Sequence, residues 1–182
     1  KYIIPSPSIV KKEMLRLIDE EIKQARKKKP AAITLKMNSL SDEDLIQKLY
    51  EAARAGVQLK LIIRGIFCMY SEHKKFETPV RAISIVDEYL EHARVWVFHN
   101  RGKEKVYISS ADWMTRNLEH RVEATCPIWH DELKQELKDI LDIQLQDNVK
   151  ARWLDNELSN EYVRTTKKKI RSQVETYNYL FN

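Results

Sequence analysis

The run from Ala31 to Ile63 constrains the fold of this chain more than any other stretch. Ala31-Ala32-Ile33-Thr34-Leu35-Lys36-Met37 reads as an apolar strand. Ser41-Asp42-Glu43-Asp44 then places a capping box ahead of Leu45, Leu49, Ala52 and Ala53, the apolar face of a helix that Gly56 ends. Gln58-Leu59-Lys60-Leu61-Ile62-Ile63 follows as a second buried strand. Strand, helix and strand at this spacing form a right-handed crossover, which makes the two strands parallel neighbours in an α/β sheet. The acids of the cap suit a helix N-terminus, where the dipole attracts negative charge, and need no metal to explain them.

An α/β sheet keeps its ligands where strands end, because pairing stops there and leaves side chains and backbone free. Arg64 stands at the end of the second parallel strand, with Gly65 next to let the backbone turn. A guanidinium offers a planar fork of donors suited to phosphate oxygens. Position alone leaves a surface salt bridge equally open, and Lys36, near the end of the first strand, is a further candidate. A second polar cluster surrounds Tyr89-Leu90-Glu91-His92-Ala93-Arg94, just ahead of a strand over 94–99. The chain returns on a strand over 104–110 that ends in Ser109-Ser110-Ala111-Asp112. A histidine beside a strand serves as an ordinary hydrogen-bonding group or as a general acid or base, and Arg94 beside it can hold an anion. Arg121, opening a strand over 121–126 that Pro127 ends, is a third arginine suited to phosphate. His73, His99, His120 and His130 lack such a setting.

Elsewhere the pattern is plainer. Pro5-Ser6-Pro7-Ser8 excludes regular structure and offers Ser8 as a cap. Val10, Met14, Leu17, Ile18, Ile22 and Ala25 recur at helical spacing up to Arg26-Lys27-Lys28-Lys29, cations suited to a helix C-terminus. The charged segment 68–79 reads as a loop able to cover the site, 80–86 as a strand, and 87–91 as a turn or short helix. Leu133, Leu137, Ile140, Leu141 and Leu145 describe an amphipathic helix. Beyond Asn148 periodicity fades until a last helix from Lys167-Lys168-Lys169-Ile170-Arg171, with Ile170, Val174, Tyr177 and Leu180 as its stripe. Cations at a helix start oppose the dipole, so a bound polyanion, or solvent and salt, must offset them. Trp96 and Trp113, on strands or strand ends, read as core rather than as base-stacking platforms.

The three glycines, Gly56, Gly65 and Gly102, are isolated, which excludes the glycine-rich loops that cradle phosphates with backbone N–H groups. Any nucleotide is therefore held by side chains. Cys68 and Cys126 have no metal-ligand spacing and read as reduced thiols. No apolar run is long enough to span a bilayer. A net charge of +5 fits an anionic ligand without demanding one. The chain opens at Lys1 without a methionine and reads as a piece of a longer protein.

His92, with Arg94 two residues on, His99 seven on and Ser109-Ser110-Ala111-Asp112 downstream, resembles part of the phospholipase D signature. Arginine stands for its lysine, histidine for its aspartate, and the serine segment for its Gly-Ser-x-Asn. A fuller resemblance is to the last domain of the bacterial polyphosphate kinase family. It is carried by Leu35-Lys36-Met37-Asn38-Ser39-Leu40, Ile63-Arg64-Gly65-Ile66-Phe67-Cys68, Ser84-Ile85-Val86, Tyr89-Leu90-Glu91-His92, Tyr107-Ile108-Ser109-Ser110-Ala111-Asp112-Trp113-Met114-Thr115-Arg116-Asn117 and Val149-Lys150-Ala151-Arg152, in order and spacing over essentially the whole chain.

That resemblance implies one phospholipase D-like domain over 1–182, an α/β fold with a mixed sheet flanked by helices on both faces. Residues 1–8 are then a linker or short strand, and 149–182 a C-terminal extension with a helix packed on the domain. It implies reversible transfer of the ATP γ-phosphate to inorganic polyphosphate through a phosphohistidine in the preceding domain, so that this chain alone is inactive. Mg²⁺ accompanies the ATP, and no metal-ligand set is expected here. The resemblance places nucleotide contacts on Arg64 and His92, with His92 assisting phosphoryl transfer. Arg121, Lys36 and Arg94 complete the expected phosphate-binding set. The expected partners are ATP or ADP, polyphosphate, the preceding domains and further copies in a homo-oligomer, without nucleic acid, in the cytoplasm or at the periphery of the inner membrane. Two other classes compete: a phospholipase D-like phosphodiesterase or nuclease half-site, and a non-catalytic polyanion-binding module whose binding would be salt-sensitive.

Overall fold

Side chains alternate along each strand, and here the alternation puts two apolar layers on opposite faces of one sheet. The computed structural model describes residues 3–7, 9–166 and 168–181. In chain order its elements are β1 (Ile4–Pro5), α1 (Val10–Arg26), β2 (Ala32–Met37), α2 (Glu43–Arg54), β3 (Gln58–Ile63), β4 (Arg81–Ile85), β5 (Val95–Phe98), β6 (Lys105–Ser109), β7 (Ala124–Ile128), α3 (Asp131–Leu145), β8 (Ala151–Trp153) and α4 (Ser172–Phe181). On one face Ile33, Leu35 and Met37 of β2 and Leu59, Leu61 and Ile63 of β3 pack against Met14, Leu17 and Ile18 of α1 and Leu45, Leu49 and Ala52 of α2. On the other, Ile62, Ile83, Ile85, Val95 and Val97 meet Leu141 and Leu145 of α3. Helices thus cover both faces, as expected. Trp96 and Trp113 are fully buried and meet edge to face with centroids 5.6 Å apart, so both belong to the core.

The sheet order is β1-β7-β6-β5-β2-β3-β4-β8. β2, β3 and β4 run parallel, Leu35 opposite Leu61 and Leu61 opposite Ala82, and every other pairing is antiparallel. The C-terminal ends of β2, β3, β4 and β6 and the N-terminal ends of β5, β7 and β8 consequently share one edge. Every candidate residue of the sequence reading falls on or next to that edge.

Several local expectations change. The cap of α2 is Asp42 rather than Ser41: its carboxylate accepts the Leu45 N–H at 3.1 Å. Lys11 bridges Asp42 and Asp44 to Glu119, and although burial opposes it, hydrogen bonds to these acids hold the Lys11 ammonium above its ordinary value. Pro127 does not end β7; it lies inside it opposite Tyr107. Among the described residues the outer side of β7 is paired only at Ala124 and Thr125, and no described strand lies beside Pro127 to need the N–H it lacks. Pro5, in turn, is part of the two-residue β1. The loop expected after Trp113 includes a π-helical turn over Arg116–His120. Segment 68–79 is tied at its start to the turn after β2, Cys68 N–H on Leu40 O, and beyond that to α2 through Tyr50 and Ala53 and to Asn156.

At the C-terminus, β8 adds an edge strand that no periodicity announces. The last helix begins at Ser172, after the basic cluster, and Val174, Tyr177 and Leu180 of its expected stripe are exposed. Its start is set by Asp147, fully buried, whose Oδ2 accepts the Ser172 N–H and Oγ–H, both at 2.7 Å. The conflict of cations with the helix dipole is thereby relieved, and Arg171 pairs instead with Asp87 and Glu88. The expected cap at Ser8 and the cluster residue Lys167 lie outside the described residues.

Candidate functional site

At the shared edge the turns after β2 and β3 approach closely. The Gly65 N–H donates to Asn38 O at 2.6 Å, and a Cβ at Gly65 would sit 3.0 Å from that oxygen and 3.3 Å from Ser39 Oγ. Glycine is needed for this approach rather than for a special φ. It fixes the backbone from which Arg64 extends. The half-exposed Arg64 donates from Nε and Nη2 to Asn38 Oδ1, at 3.2 and 3.0 Å.

Asn38 is held in turn by Asp112, which follows β6. Asp112 Oδ1 accepts the N–H groups of Asn38 and Ser39 at 2.7 and 3.3 Å, and Oδ2 accepts Asn38 Nδ2–H at 3.2 Å. Arg94 closes on the same carboxylate with two bonds, Nε to Oδ1 at 3.2 Å and Nη2 to Oδ2 at 3.0 Å. Its Nη1 donates to His92 O at 2.9 Å and lies 3.1 and 3.3 Å from the two ring nitrogens of His92. A continuous hydrogen-bonded line therefore runs Arg64, Asn38, Asp112, Arg94, His92, joining the ends of β3, β2, β6 and β5.

The charges in this line are unequal. Burial alone would raise the Asp112 carboxyl, but hydrogen bonds from Arg94 and Asn38 outweigh it and hold the group below the usual carboxylate range. Asp112 is thus an anion already committed to Arg94. Arg64 has only the neutral Asn38 amide, and among the described residues no carboxylate forms an ion pair with it. A half-exposed guanidinium oriented by an amide and left without a counter-charge is equipped to take an anionic ligand.

Lys36 is placed differently from Arg64. It is 4% exposed, on the α3 side of the sheet, with Nζ 2.6 Å from Glu91 Oε2. Burial pushes its ammonium below the ordinary lysine value, and Glu91 offsets this only in part. Lys36 supports the residue next to His92 instead of joining the hydrogen-bonded line. Arg121 stands exposed between the π-turn and β7 with no side-chain partner among the described residues, and is not part of the line either. His99 lies at the far end of β5 from His92, its N–H on Ala32 O. Asn38 and Asp112 carry the geometry; the sequence puts Asp112 in the polar cluster at the strand ends without giving it a role, and it does not single out Asn38. Their signal is position: Asn38 directly follows β2, and Asp112 comes three residues after the end of β6, both at the shared edge.

These residues do not fit a resident metal. Both oxygens of Asp112 are occupied, and among the described residues no group of three or more His, Cys, Asp or Glu side chains could hold an ion.

Residues 3–173 match the family model described as polyphosphate kinase C-terminal domain 2. The chain belongs to this family. As such a polyphosphate kinase C-terminal domain it is 48% identical over its full length to a polyphosphate kinase of Vibrio cholerae serotype O1, and 44% identical over 98% of its length to one of Escherichia coli K12. It covers 26% of each, so it spans about a quarter of the length of the curated relatives it matches. A crystal structure of polyphosphate kinase from Porphyromonas gingivalis superposes with a TM-score of 0.94 at 42% identity, over 99% of this chain and 28% of that one. A phospholipase D family member, Nuc from Salmonella typhimurium, superposes with a TM-score of 0.61 at 15% identity over 85% of this chain and 97% of that one. The last likeness shows the fold alone: the polyphosphate kinase C-terminal domain has a phospholipase D-like architecture.

Proposed function

We infer that this domain supplies nucleotide- and phosphate-binding residues for reversible transfer of the ATP γ-phosphate to inorganic polyphosphate. In this reading a histidine of the preceding domain attacks the γ-phosphorus and the bond to the ADP oxygen breaks. A terminal polyphosphate oxygen then attacks the phosphohistidine and the P–N bond breaks. Each step is an in-line displacement in which the protein mainly positions groups and stabilises charge. Arg64 meets the nucleotide phosphates, and His92, steadied by Arg94, lies beside the transferred group. Mg²⁺ belongs to the incoming ATP rather than to ligands of this chain. Arg121, on the same edge, is an outlying phosphate contact. The assignment of cytoplasmic or peripheral-membrane location and of a homo-oligomer belongs to the same proposal, and no helix among the described residues is long and apolar enough to cross a membrane.

The observation that supports this reading is the Arg64 guanidinium, held by Asn38 and lacking a carboxylate, at one end of a line that ends at His92. The test is equilibrium binding of ATP·Mg²⁺ to a full-length polyphosphate kinase carrying this sequence as its C-terminal domain. Losing a charged hydrogen-bonded contact in Arg64→Ala weakens binding by about tenfold to a hundredfold. Unchanged affinity would remove Arg64 from the nucleotide site. Hydrolysis of an activated phosphodiester, with no transfer to polyphosphate, would favour the phosphodiesterase reading instead.

A further inference from the structure

Residues 87–93 bring His92 to the shared edge, yet among the described residues they make no backbone-to-backbone hydrogen bond. Glu88, Tyr89, Leu90, His92 and Ala93 are exposed. A segment with so little pairing and burial would open at little cost if nothing else held it. Side chains hold it, and two of the most engaged lie at the start of α4.

Gln173 grips the segment three times. Its Oε1 accepts the Tyr89 N–H at 3.0 Å, and its Nε2 donates to Tyr89 O at 2.8 Å and to Glu91 Oε1 at 2.9 Å. The paired bonds to both backbone groups of one residue imitate a sheet ladder with a side-chain amide. Two residues earlier, Arg171 binds both oxygens of Asp87 at 2.8 Å and Glu88 Oε2 at 3.1 Å. The other oxygen of Glu91 takes Lys36 at 2.6 Å and Gln144 at 3.0 Å. Between Arg171 and Gln173, Ser172 is fixed to Asp147. The residue directly before His92 is therefore tied to β2, α3 and α4 together.

We propose that Gln173, with Arg171 beside it, is a positioning residue for His92: the start of the C-terminal helix holds the histidine segment in the place the transfer step requires. Gln173 touches residues 89 and 91 and not the substrate. This rests on the reading of His92 given above.

The test uses full-length polyphosphate kinase with His92→Ala, Gln173→Met and the double variant. Methionine keeps the length of the side chain and removes its hydrogen bonds. Because small misplacement of a reacting group costs up to about a hundredfold in rate, kcat of Gln173→Met falls by about tenfold or more while KM for ATP moves less. Backbone amides of 87–93 exchange faster in this variant, and those of β2 and β3 do not. In the His92→Ala background Gln173→Met adds little, because a residue acting through His92 has nothing left to position. Multiplying losses, or a wild-type kcat for Gln173→Met, would overturn the proposal. If His92→Ala alone leaves kcat intact, the reading of the site fails first and the proposal with it. Should Gln173→Met not fold, Gln173→Glu keeps the acceptor for Tyr89 N–H, loses both donated bonds and sets a second carboxylate against Glu91. It is expected to give the same pattern, and normal turnover in it would equally overturn the proposal.

Discussion

Asp112→Asn probes the centre of the line. In the wild type the carboxylate accepts bonds from Asn38 N, Asn38 Nδ2, Ser39 N, Arg94 Nε and Arg94 Nη2. Asparagine can place its oxygen where Oδ1 was and keep the bonds made there. Its NH₂ then faces Asn38 Nδ2 and Arg94 Nη2, both donors, and Arg94 loses its counter-charge with 12% of its side chain exposed. Removing one partner of a fully buried ion pair costs about 3–5 kcal/mol, and the partial exposure here places the loss at the low end, about 3 kcal/mol. For a domain of this size that lowers the melting temperature by about 6–12 °C. The wild-type Asp112 value lies below that of the unfolded chain, so its contribution is complete above the ordinary carboxylate range and is lost as pH falls through the folded value. The gap between wild type and variant in urea unfolding should therefore be full at neutral pH and shrink in acid. A loss below about 1 kcal/mol at neutral pH, or a gap that widens in acid, would refute this account of Asp112.

Asp147→Ala should be more damaging still. It is fully buried, Oδ1 accepts the N–H groups of Val149, Lys150 and Ala151 and Oδ2 binds Ser172, so about 3–5 kcal/mol is expected from denaturant unfolding, with exchange protection lost first in α4. Burial opposes its ionisation, but these N–H groups hold the carboxyl below its ordinary value, so this stability too is lost as pH falls through the folded value. Gly65→Ala forces a Cβ to within 3.0 Å of Asn38 O, and the displaced Asn38 should weaken ATP binding while costing about 1–3 kcal/mol of stability, read by nucleotide titration and thermal melting.

The β2–α2–β3 unit was legible because every local signal agreed: alternating apolar positions, acids at the helix start and Gly56 at its end. The flanking strands were less so. Pro127 reads as a terminator only if its neighbours are unknown: it sits in β7 opposite Tyr107, and among the described residues β1 pairs with β7 at Ala124 and Thr125 alone. β8 has three residues, too few for a periodic signal, and exists because β4 offers it an edge. The start of α4 is fixed by Asp147, 25 residues away, which no local rule can see. In the site, Arg64 and His92 stood out because their chemistry suits phosphate and proton transfer. Asn38 did not, and Asp112 stood in the polar cluster without a role, because their work is to hold others, and that is visible only once four strand ends meet. Lys36 looked like Arg64 in sequence, but it lies within β2 rather than past the strand end, buried and paired with Glu91.

The most direct test of the central claim is phosphoryl transfer from γ-labelled ATP with Mg²⁺ by the full-length enzyme, comparing wild type with Arg64→Ala and His92→Ala. Removing charge stabilisation or a positioned group from phosphoryl transfer typically costs about a hundredfold or more, so both variants should incorporate little label into long-chain polyphosphate while melting close to wild type. Label incorporation at wild-type rates by either folded variant would contradict the account and leave the line from Arg64 to His92 as part of the scaffold alone.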